Sequence, residues 1–350
     1  MNVLVTGSAG LIGSEAALFF DSLGFAVEGI DNNQRADFFG AAGDTTWNRK
    51  RLEADCRTYR HWDLDIRDRA AILDLFQRVR FDLVVHAAAQ PSHDLAADRP
   101  FDDFDINAVG TLNLLEATRK HAAEAVFLYL STNKVYGDGP NRIRLRELET
   151  RWEYEDARYL EGIPEDFPVD HCMHSLFGVS KLAGDLMTQE YGRYFGMKTG
   201  VFRGGCLTGP QHAGVEMHGF LSYLILTTLT EGPYQIFGYG GKQVRDQIHS
   251  SDVVRALWEF AQDPKPGEVY NLGGGKENAA SLLECIDLIE QVSHKRARLS
   301  YTDQNRQGDH ICYYSDLRKF RSHFPSWQLT YNLERIVHEM VGELSERVGI

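Results

Sequence analysis

The amino-terminal segment constrains the fold of this chain most strongly. A short run rich in β-branched residues, 2–6, is followed at once by Gly7, Gly10 and Gly13, and then by an apolar stretch over 14–23 that is typical of a helix. Glycines at this spacing let the backbone turn sharply and approach a pyrophosphate, which binds the free N–H groups at the start of the helix. The segment therefore predicts a strand–turn–helix unit that binds a dinucleotide.

A carboxylate follows the next predicted strand. Asp31 comes directly after 26–30. A carboxylate at this place accepts hydrogen bonds from both hydroxyls of an adenosine ribose and repels the 2′-phosphate of NADP. We therefore expect NAD, although Arg35 lies close in sequence and leaves NADP open. The residues expected at this end of the cofactor are Gly7, Gly10, Leu11, Ile12, Gly13, Asp31 and Asn32.

Charge and cysteine content disfavour several classes of protein. The net charge of −13 would repel the phosphates of a nucleic acid, so no such partner is expected. The five cysteines are scattered without a Cys-x-x-Cys pair, as a reducing cytosol permits. No basic leader precedes an apolar run, and no uncharged stretch is long enough to span a bilayer. We therefore expect a cytoplasmic protein without a membrane segment.

Strand-like and helix-like segments alternate through the first half of the chain. The runs 81–86 and 125–131 have the composition of buried parallel strands, with a helical pattern over 108–121 between them. A further helix over 180–195 precedes a further strand over 198–202. This alternation predicts an α/β fold with a doubly wound parallel sheet of the Rossmann type. Ligands of such sheets bind beyond the carboxyl ends of the strands.

The length of 350 residues suggests two lobes. We expect an NAD-binding domain over 1–203, with 245–275 returning to it. A smaller, mostly helical substrate-binding lobe, interleaved with the first, is expected over 204–350. The charged and aromatic segment 140–168 has little periodicity, which favours a long excursion.

Several motifs after the glycine turn resemble one family. They are Asp65-Ile66, His86-Ala-Ala-Ala89, Asn107, Ser131-Thr132, Lys181, Arg245-Asp246 with His249 and Asp252, and Arg306-Gln-Gly-Asp309. Together they cover nearly the whole chain and resemble the extended short-chain dehydrogenase/reductase family, the sugar-nucleotide epimerases and dehydratases. The resemblance implies NAD as the cofactor, a nucleotide sugar as the substrate and a homodimer as the assembly.

The resemblance also implies roles for individual residues. Asp65 and Ile66 would hold the adenine, and Arg245 and Arg306 would clamp the diphosphate of the sugar nucleotide. Arginine suits that task because its planar fork meets phosphate oxygens in two places. The other cofactor residues would be Ala87, Ala88, Ala89, Asn107 and Lys181, and the other substrate residues Gln90, Thr132, Asn133, Arg203 and Asp309.

The segment 131–138 distinguishes between reactions of the family. It resembles the CDP-paratose 2-epimerase branch, as do 201–203 and 241–246. The related 4,6-dehydratases place an Asp-Glu pair directly after the catalytic Thr, whereas this chain has Asn133 and Lys134. Dehydration is therefore disfavoured, and the expected reaction is epimerisation through a transient keto sugar, at C2 of a CDP-deoxyhexose. Another NAD-dependent sugar-nucleotide oxidoreductase or a C4 epimerase is the alternative, and the two side chains could instead bond their loop to the sheet edge.

One position departs from the family pattern. The family uses a Tyr four residues before the Lys, on the same helix face, to take the hydroxyl proton. In this chain Phe177 precedes Lys181, so Thr132 and Lys181 are expected in the site without that phenol. Three explanations stay open: another base, an engineered Tyr→Phe substitution, or binding of NAD and a sugar nucleotide without turnover. The candidate bases are Lys134, Tyr136, His171, His174 and Cys206.

Two further expectations concern metals and assembly. His171 and His174 have a His-x-x-His spacing, but no third ligand follows at a fixed distance, so no metal is expected. By the family resemblance, the helices 108–121 and 181–195 of two subunits would form a four-helix bundle. Their additional apolar positions are Leu112, Leu115, Leu182 and Met187.

Overall fold

The computed structural model describes residues 1–216, 218–305 and 308–350. Contacts between Cα atoms divide the chain into two compact units. The first unit consists of Met1–Val135, Leu176–Arg203 and Val253–Tyr270, and the second of Tyr136–Ser175, Gly204–Asp252 and Asn271–Ile350. Within the described residues, no helix combines the length and the apolar character needed to cross a membrane.

Strands and helices alternate along most of the chain. The strands are β1 (Asn2–Thr6), β2 (Ala26–Ile30), β3 (Tyr59–Trp62), β4 (Leu83–His86), β5 (Val126–Thr132), β6 (Leu145–Glu147), β7 (Trp152–Tyr154), β8 (Lys198–Gly204), β9 (Cys206–Thr208), β10 (Pro233–Phe237), β11 (Val244–His249), β12 (Glu268–Leu272), β13 (Ala279–Ser281), β14 (Arg298–Thr302) and β15 (Cys312–Tyr313). The helices are α1 (Leu11–Ser22), α2 (Gln34–Phe39), α3 (Thr46–Asp55), α4 (Arg69–Arg78), α5 (His93–Asp98), α6 (Pro100–Phe104), α7 (Gly110–His121), α8 (Leu176–Phe195), α9 (Phe220–Leu229), α10 (Ser250–Gln262), α11 (Leu282–Ser293), α12 (Arg318–His323) and α13 (Leu333–Val348).

The main sheet has seven strands in the order β12-β8-β5-β4-β1-β2-β3. The neighbours from β3 to β5 pair in parallel, and β1 pairs with both β2 and β4. The chain therefore reverses its direction of winding between β1 and β4, which is where doubly wound sheets bind ligands. The predicted Rossmann sheet is confirmed.

The interior strands have the composition that burial on both faces requires. All four residues of β4, Leu-Val-Val-His, are buried, as are the last four of β1. Such apolar runs are typical of parallel strands covered by helices on both sides. α4 begins where the carboxylate of Asp68 accepts a hydrogen bond from the N–H of Ala71 at 3.0 Å, and it buries Ile72, Leu75 and Phe76.

The second unit contains strands as well as helices, so the prediction of a mostly helical lobe is corrected. β9, β11, β13 and β15 form one four-stranded sheet, β10 pairs with β14, and β6 pairs with β7. α9, α11 and α13 contribute to one apolar core. α11 begins in a capping box, in which Ser281 and Glu284 each accept a backbone N–H of the other.

The observed boundaries differ from the predicted ones in informative ways. The predicted helix 108–121 is preceded by a π-helical turn, Asp105–Val109, and α8 begins at Leu176 instead of residue 180. The excursion 140–168 includes the hairpin β6–β7 and groups with the second unit, as do residues 245–252. The periodicity of apolar residues does not report short strand pairings or long-range contacts. These pairings and contacts account for the differences.

Candidate active site

The glycine turn of the first unit has no room for side chains at Gly7 and Gly13. Gly7 has a φ of +67°, and a Cβ there would lie 2.8 Å from the amide nitrogen of Ala88. A Cβ on Gly13 would lie 2.0 Å from the carbonyl oxygen of Gly7. α1 begins after Gly10, which has no side chain to cap the N–H groups of Leu11 and the residues that follow. The close packing and the uncapped N–H groups are compatible with a pyrophosphate at this turn, and its binding there stays a prediction.

Asp31 lies directly after β2, beside this turn. One carboxylate oxygen accepts the N–H of Ala9 at 2.9 Å and the other accepts the N–H of Asn33 at 2.8 Å. Burial raises the pKa of Asp31, while these two N–H groups oppose the rise. Burial also lowers the pKa of Arg35 to about 10, although its attraction to Asp31 opposes that shift. Each oxygen of Asp31 keeps a lone pair with which to accept a ribose hydroxyl.

The predicted adenine contacts lie after β3. The carboxylate of Asp65 accepts hydrogen bonds from Arg67 at 2.7–3.1 Å and from the side-chain amide of Asn32 at 3.2 Å. Ile66 is buried against Gly110, where a Cβ would lie 2.6 Å from its Cδ1 atom. These contacts stabilise Asp65 and Ile66 in place, and their contact with adenine stays a prediction.

The residues after β4 differ in their exposure. Ala87, Ala88 and Ala89 are half-buried, which leaves them accessible at the carboxyl end of the strand. Gln90, in contrast, is completely buried, and its amide nitrogen donates to Ser92 O and to Asp103 Oδ1, both at 2.8 Å. The amide oxygen of Gln90 accepts the N–H of Ser92. The side-chain amide of Gln90 thus forms hydrogen bonds with other residues of the first unit. The structure gives its predicted substrate contact no support.

Asn107 connects several elements of the first unit. It lies in the π-helical turn, and its amide nitrogen donates to Gln90 O, Asp103 Oδ1 and Ser180 Oγ, each at 3.1 Å. Its amide oxygen accepts the N–H of Gln90 at 3.0 Å. π-helical turns are frequent at functional sites because they redirect a few side chains out of helical register. Asn107 thus positions α8 and the segment after β4, and its predicted role at the cofactor stays a prediction.

The carboxyl end of β5 holds the predicted Thr132, Asn133 and Lys134. The hydroxyl oxygen of Thr132 accepts the N–H of Lys134 at 3.2 Å and donates to Asn133 Oδ1 at 3.4 Å. Asn133 is buried, whereas Thr132 and Lys134 are half-buried. The amide oxygen of Asn133 thus accepts a hydrogen bond from the last residue of β5, and whether Asn133 acts in the reaction or only bonds the loop to the sheet edge stays open.

Phe177 and Lys181 lie one turn apart on α8. Both are buried, with 7% and 4% of their surfaces exposed. The Nζ atom of Lys181 donates to the carbonyl oxygen of Leu130 at 2.6 Å and lies 4.3 Å from the centroid of the Tyr129 ring. Burial lowers the pKa of Lys181 to about 7, although Asp185 opposes this shift. Lys181 therefore lies beside the strand that ends in Thr132, as the family resemblance implies.

Arg203 has a partner inside the first unit. Its Nε and Nη2 atoms donate to the two carboxylate oxygens of Asp185 at 2.9 and 3.2 Å, and both side chains are buried. The same carboxylate accepts the hydroxyl of Ser131 at 2.7 Å and the side-chain amide of Gln189 at 2.6 Å. The structure gives the predicted contact of Arg203 with substrate no support. Asp185 was missed, although its place four residues after Lys181 puts both on one helix face.

The second unit contains the remaining predicted substrate residues. Arg245 donates to Asp309 Oδ1 and, at 2.7 Å, to the carbonyl oxygen of Val244. Burial acts to lower the pKa of Arg245, but the attraction of Asp309 contributes to a net rise, so the guanidinium keeps its charge. A buried arginine in a fixed orientation is a suitable ligand for phosphate oxygens. Arg306, the second predicted arginine, lies outside the described residues.

Four of the five candidate bases belong to the second unit, and Lys134 belongs to the first. Tyr136 is completely buried, and its hydroxyl donates to Asn271 Oδ1 at 2.8 Å. The Nε2 atom of His174 lies 2.8 Å from the carbonyl oxygen of Val169. His171 is exposed and Cys206 is half-buried. A base role for any of these five stays a prediction.

Comparison with known proteins agrees with this geometry. Residues 3–273 match the NAD dependent epimerase/dehydratase family. The chain is 31% identical to the CDP-paratose 2-epimerase of Salmonella typhi over 326 residues, which cover 91% of this chain and 92% of that relative. It is 28% identical to the dTDP-glucose 4,6-dehydratase 1 of Escherichia coli strain K12, with 87% and 80% covered.

Solved structures show the same fold. The UDP-glucose 4-epimerase of Thermus thermophilus in complex with NAD superposes with a TM-score of 0.78 at 23% identity, covering 98% of this chain and 99% of that one. The glycine turn and Asp31, which are predicted to bind the dinucleotide, lie within the matched residues. The chain therefore belongs to the NAD dependent epimerase/dehydratase family.

Proposed function

We propose that this chain epimerises a nucleotide-activated hexose through a transient keto sugar, at C2 of a CDP-linked deoxyhexose. The observation that carries the proposal is the pair Asn133 and Lys134, directly after Thr132 at the end of β5. Expulsion of water from a sugar needs an acid and a base at this place, and neither an amide nor an ammonium group supplies a carboxylate pair. The Salmonella relative, named a CDP-paratose 2-epimerase, supports the choice of reaction and substrate.

The proposal assigns the following roles. NAD, when bound to the first unit, supplies the acceptor and donor of hydride. Thr132 holds the reacting hydroxyl of the sugar, and Lys181 orients the nicotinamide ribose and provides a positive potential. In the second unit, Arg245, held in place by Asp309, binds the diphosphate.

Phe177 favours a second candidate function. Because a phenyl ring has no proton to exchange, this chain could bind NAD and a sugar nucleotide without converting them. Retained NAD that a sugar nucleotide can reduce distinguishes an epimerase, at C2 or at C4, from such a binding protein.

The decisive experiment follows the sugar itself. The purified protein is incubated with CDP-paratose, and in parallel with UDP-glucose and dTDP-glucose, while product stereochemistry is read by NMR and transient NADH by absorbance. We expect inversion at C2 of the CDP-linked sugar alone. Inversion at C4 of UDP-glucose would assign the alternative reaction, and no conversion of any sugar nucleotide would favour the binding protein. Mass spectrometry of co-purified ligands identifies the nucleotide independently.

The same proposal includes a homodimer formed by α7 and α8. Of the positions predicted for the bundle, Leu112 and Leu182 are half-buried, whereas Leu115 lies in the core and Met187 packs against it. α8 also exposes Val179 and Leu186, at 44% and 47% of their surfaces. Exposed apolar side chains on one face of a helix favour burial against a second copy of the chain.

Charged residues at positions 179 and 186 should separate the two copies. The double variant Val179→Asp and Leu186→Asp is expected to weaken dimerisation about tenfold or more, because burying unpaired charges costs several kcal/mol. Light scattering at micromolar concentration measures the mass, with Leu23→Asp as the control for an exposed leucine elsewhere in the first unit. A mass near 39.6 kDa for the unmodified chain would contradict the dimer.

A further inference from the structure

The amine of Lys181 is buried without an anion in contact with it. Nζ donates to a neutral backbone carbonyl, that of Leu130, at 2.6 Å, and lies over the ring of Tyr129 at 4.3 Å. In the described part of the chain, Lys181 takes part in no ion pair within 4.0 Å. Burial without a contacting counter-ion disfavours the ammonium form and favours the neutral amine, which has a lone pair.

The nearest carboxylates are occupied by other groups. Asp185 is held by Arg203, Ser131 and Gln189 at 2.6–3.2 Å. Asp103 is buried and accepts hydrogen bonds from Gln90 at 2.8 Å and from Asn107 at 3.1 Å. Both carboxylates attract the charge of Lys181 from a distance, but neither pairs with it directly.

Two further titratable groups lie near Lys181, the Tyr129 phenol, whose pKa is raised by burial, and His86 on β4. Its two ring nitrogens lie 2.8 Å from the hydroxyl of Thr6 and 2.9 Å from the hydroxyl of Thr111. Burial lowers the pKa of His86 well below its ordinary value, so the ring is neutral. His86 therefore adds no charge that would hold Lys181 in the ammonium form or expel its proton.

Phe177 removes the competing base. It lies four residues before Lys181 and so on the same face of α8. A phenol at this place would compete with Lys181 for the substrate proton. With a phenyl ring there, the amine of Lys181 is a buried basic group beside β5, where it donates to the carbonyl oxygen of Leu130, two residues before Thr132.

We propose that Lys181 is itself the general base and acid of this enzyme. The inference rests on the proposed function and deepens it: the neutral amine of Lys181 takes the proton, and the ammonium group so formed provides the positive potential. The O–H bond of the substrate breaks as an N–H bond forms on Nζ, directly or through one water. The C–H bond breaks with its electron pair leaving as hydride, for which bound NAD is the acceptor, and the alcohol carbon becomes a ketone. When hydride returns to the opposite face, Nζ gives its proton back to the oxygen.

The acid–base balance of Lys181 suits this role. Burial lowers its pKa to about 7, so about half of the amines carry a lone pair at neutral pH. General bases act best when their pKa lies near the working pH. Protonation removes the lone pair, so kcat should fall as the pH decreases below about 7 and level off above it.

Variants of Lys181 test the base role separately from the charge. Lys181→Arg keeps the cation and removes the base, so we expect kcat to fall by about 10²–10⁴ while NAD remains bound. Lys181→Ala should be rescued by added small amines, with rates that follow the concentration of their unprotonated form. Lys198→Arg, at an exposed lysine paired with Glu124, is the matched control and should leave kcat unchanged.

A readout without turnover measures the amine directly. In protein labelled with ¹³C at the lysine ε-carbon, the NMR signal that disappears in Lys181→Arg should titrate near pH 7, whereas an ordinary lysine titrates near about 10.4. A signal that titrates near the ordinary value would overturn the proposal.

The outcomes separate this inference from the proposed function. An active wild-type protein whose Lys181→Arg variant keeps most of its kcat, or whose Lys181→Ala variant ignores amines, overturns the base role and leaves the epimerase standing. Activity that appears only in Phe177→Tyr also overturns the base role, because a phenol is then required. If neither the wild type nor Phe177→Tyr converts any sugar nucleotide, the proposed function fails and the base role fails with it.

Discussion

Replacing Gly13 by alanine should weaken NAD binding about 10–100-fold. The new Cβ would lie 2.0 Å from the carbonyl oxygen of Gly7 and 2.8 Å from the Cα of Ser8, both backbone atoms that cannot rotate away. The turn must open, which costs ~1–3 kcal/mol or more and moves the N–H groups away from the pyrophosphate. Fluorescence titration of the apoprotein with NAD measures the affinity.

Gly10→Ala provides the matched control in the same turn. Its Cβ would lie 3.2 Å from the same carbonyl oxygen, a contact that a shift of a few tenths of an ångström relieves. We therefore expect a much smaller loss of affinity than for Gly13→Ala. Equal affinities of the two variants would show that close packing of this turn does not control cofactor binding.

Replacing Arg203 by methionine should decrease the free energy of unfolding by about 3–5 kcal/mol. The change leaves the carboxylate of Asp185 buried without its cation, although Ser131 and Gln189 still donate to it. Removing one partner of a buried ion pair is expensive because the remaining charge has lost its solvent as well. Urea unfolding followed by circular dichroism measures the difference.

Two further variants control this experiment. Arg78→Met breaks an exposed pair with Asp74 at 2.7 Å and should change the free energy of unfolding by about 0–1 kcal/mol. The double variant Arg203→Met and Asp185→Leu removes both charges and should recover part of the loss. If Arg203→Met proved as mild as Arg78→Met, the buried pair would contribute little to the stability of the first unit.

The order of elements in the first unit could be predicted because the signals are local. The glycine spacing over 7–13, the acid after β2 and the apolar runs of β4 and β5 each depend on a few neighbouring residues. Local geometry then requires a turn, a helix start or a buried strand, whatever the rest of the chain does. The family motifs extend this prediction to NAD and to a sugar nucleotide.

The grouping of 136–175 with the second unit and the partners of Gln90 and Arg203 were not predictable in the same way. Arg203 pairs with Asp185, and Gln90 with Asp103, on elements that folding brings together. A polar side chain in a motif looks the same in sequence whether it faces a ligand or an internal partner. Its role depends on which groups surround it after burial.

Lys181 shows most clearly which properties the sequence predicts and which depend on the tertiary structure. Its place in the sequence, four residues after Phe177, identifies the helix face and the family role. The spacing does not indicate whether its amine contacts a carboxylate or a backbone carbonyl. That depends on where α6, β4, β5 and α8 place their polar groups, because the surrounding charges and the loss of water together decide whether a lysine keeps its proton.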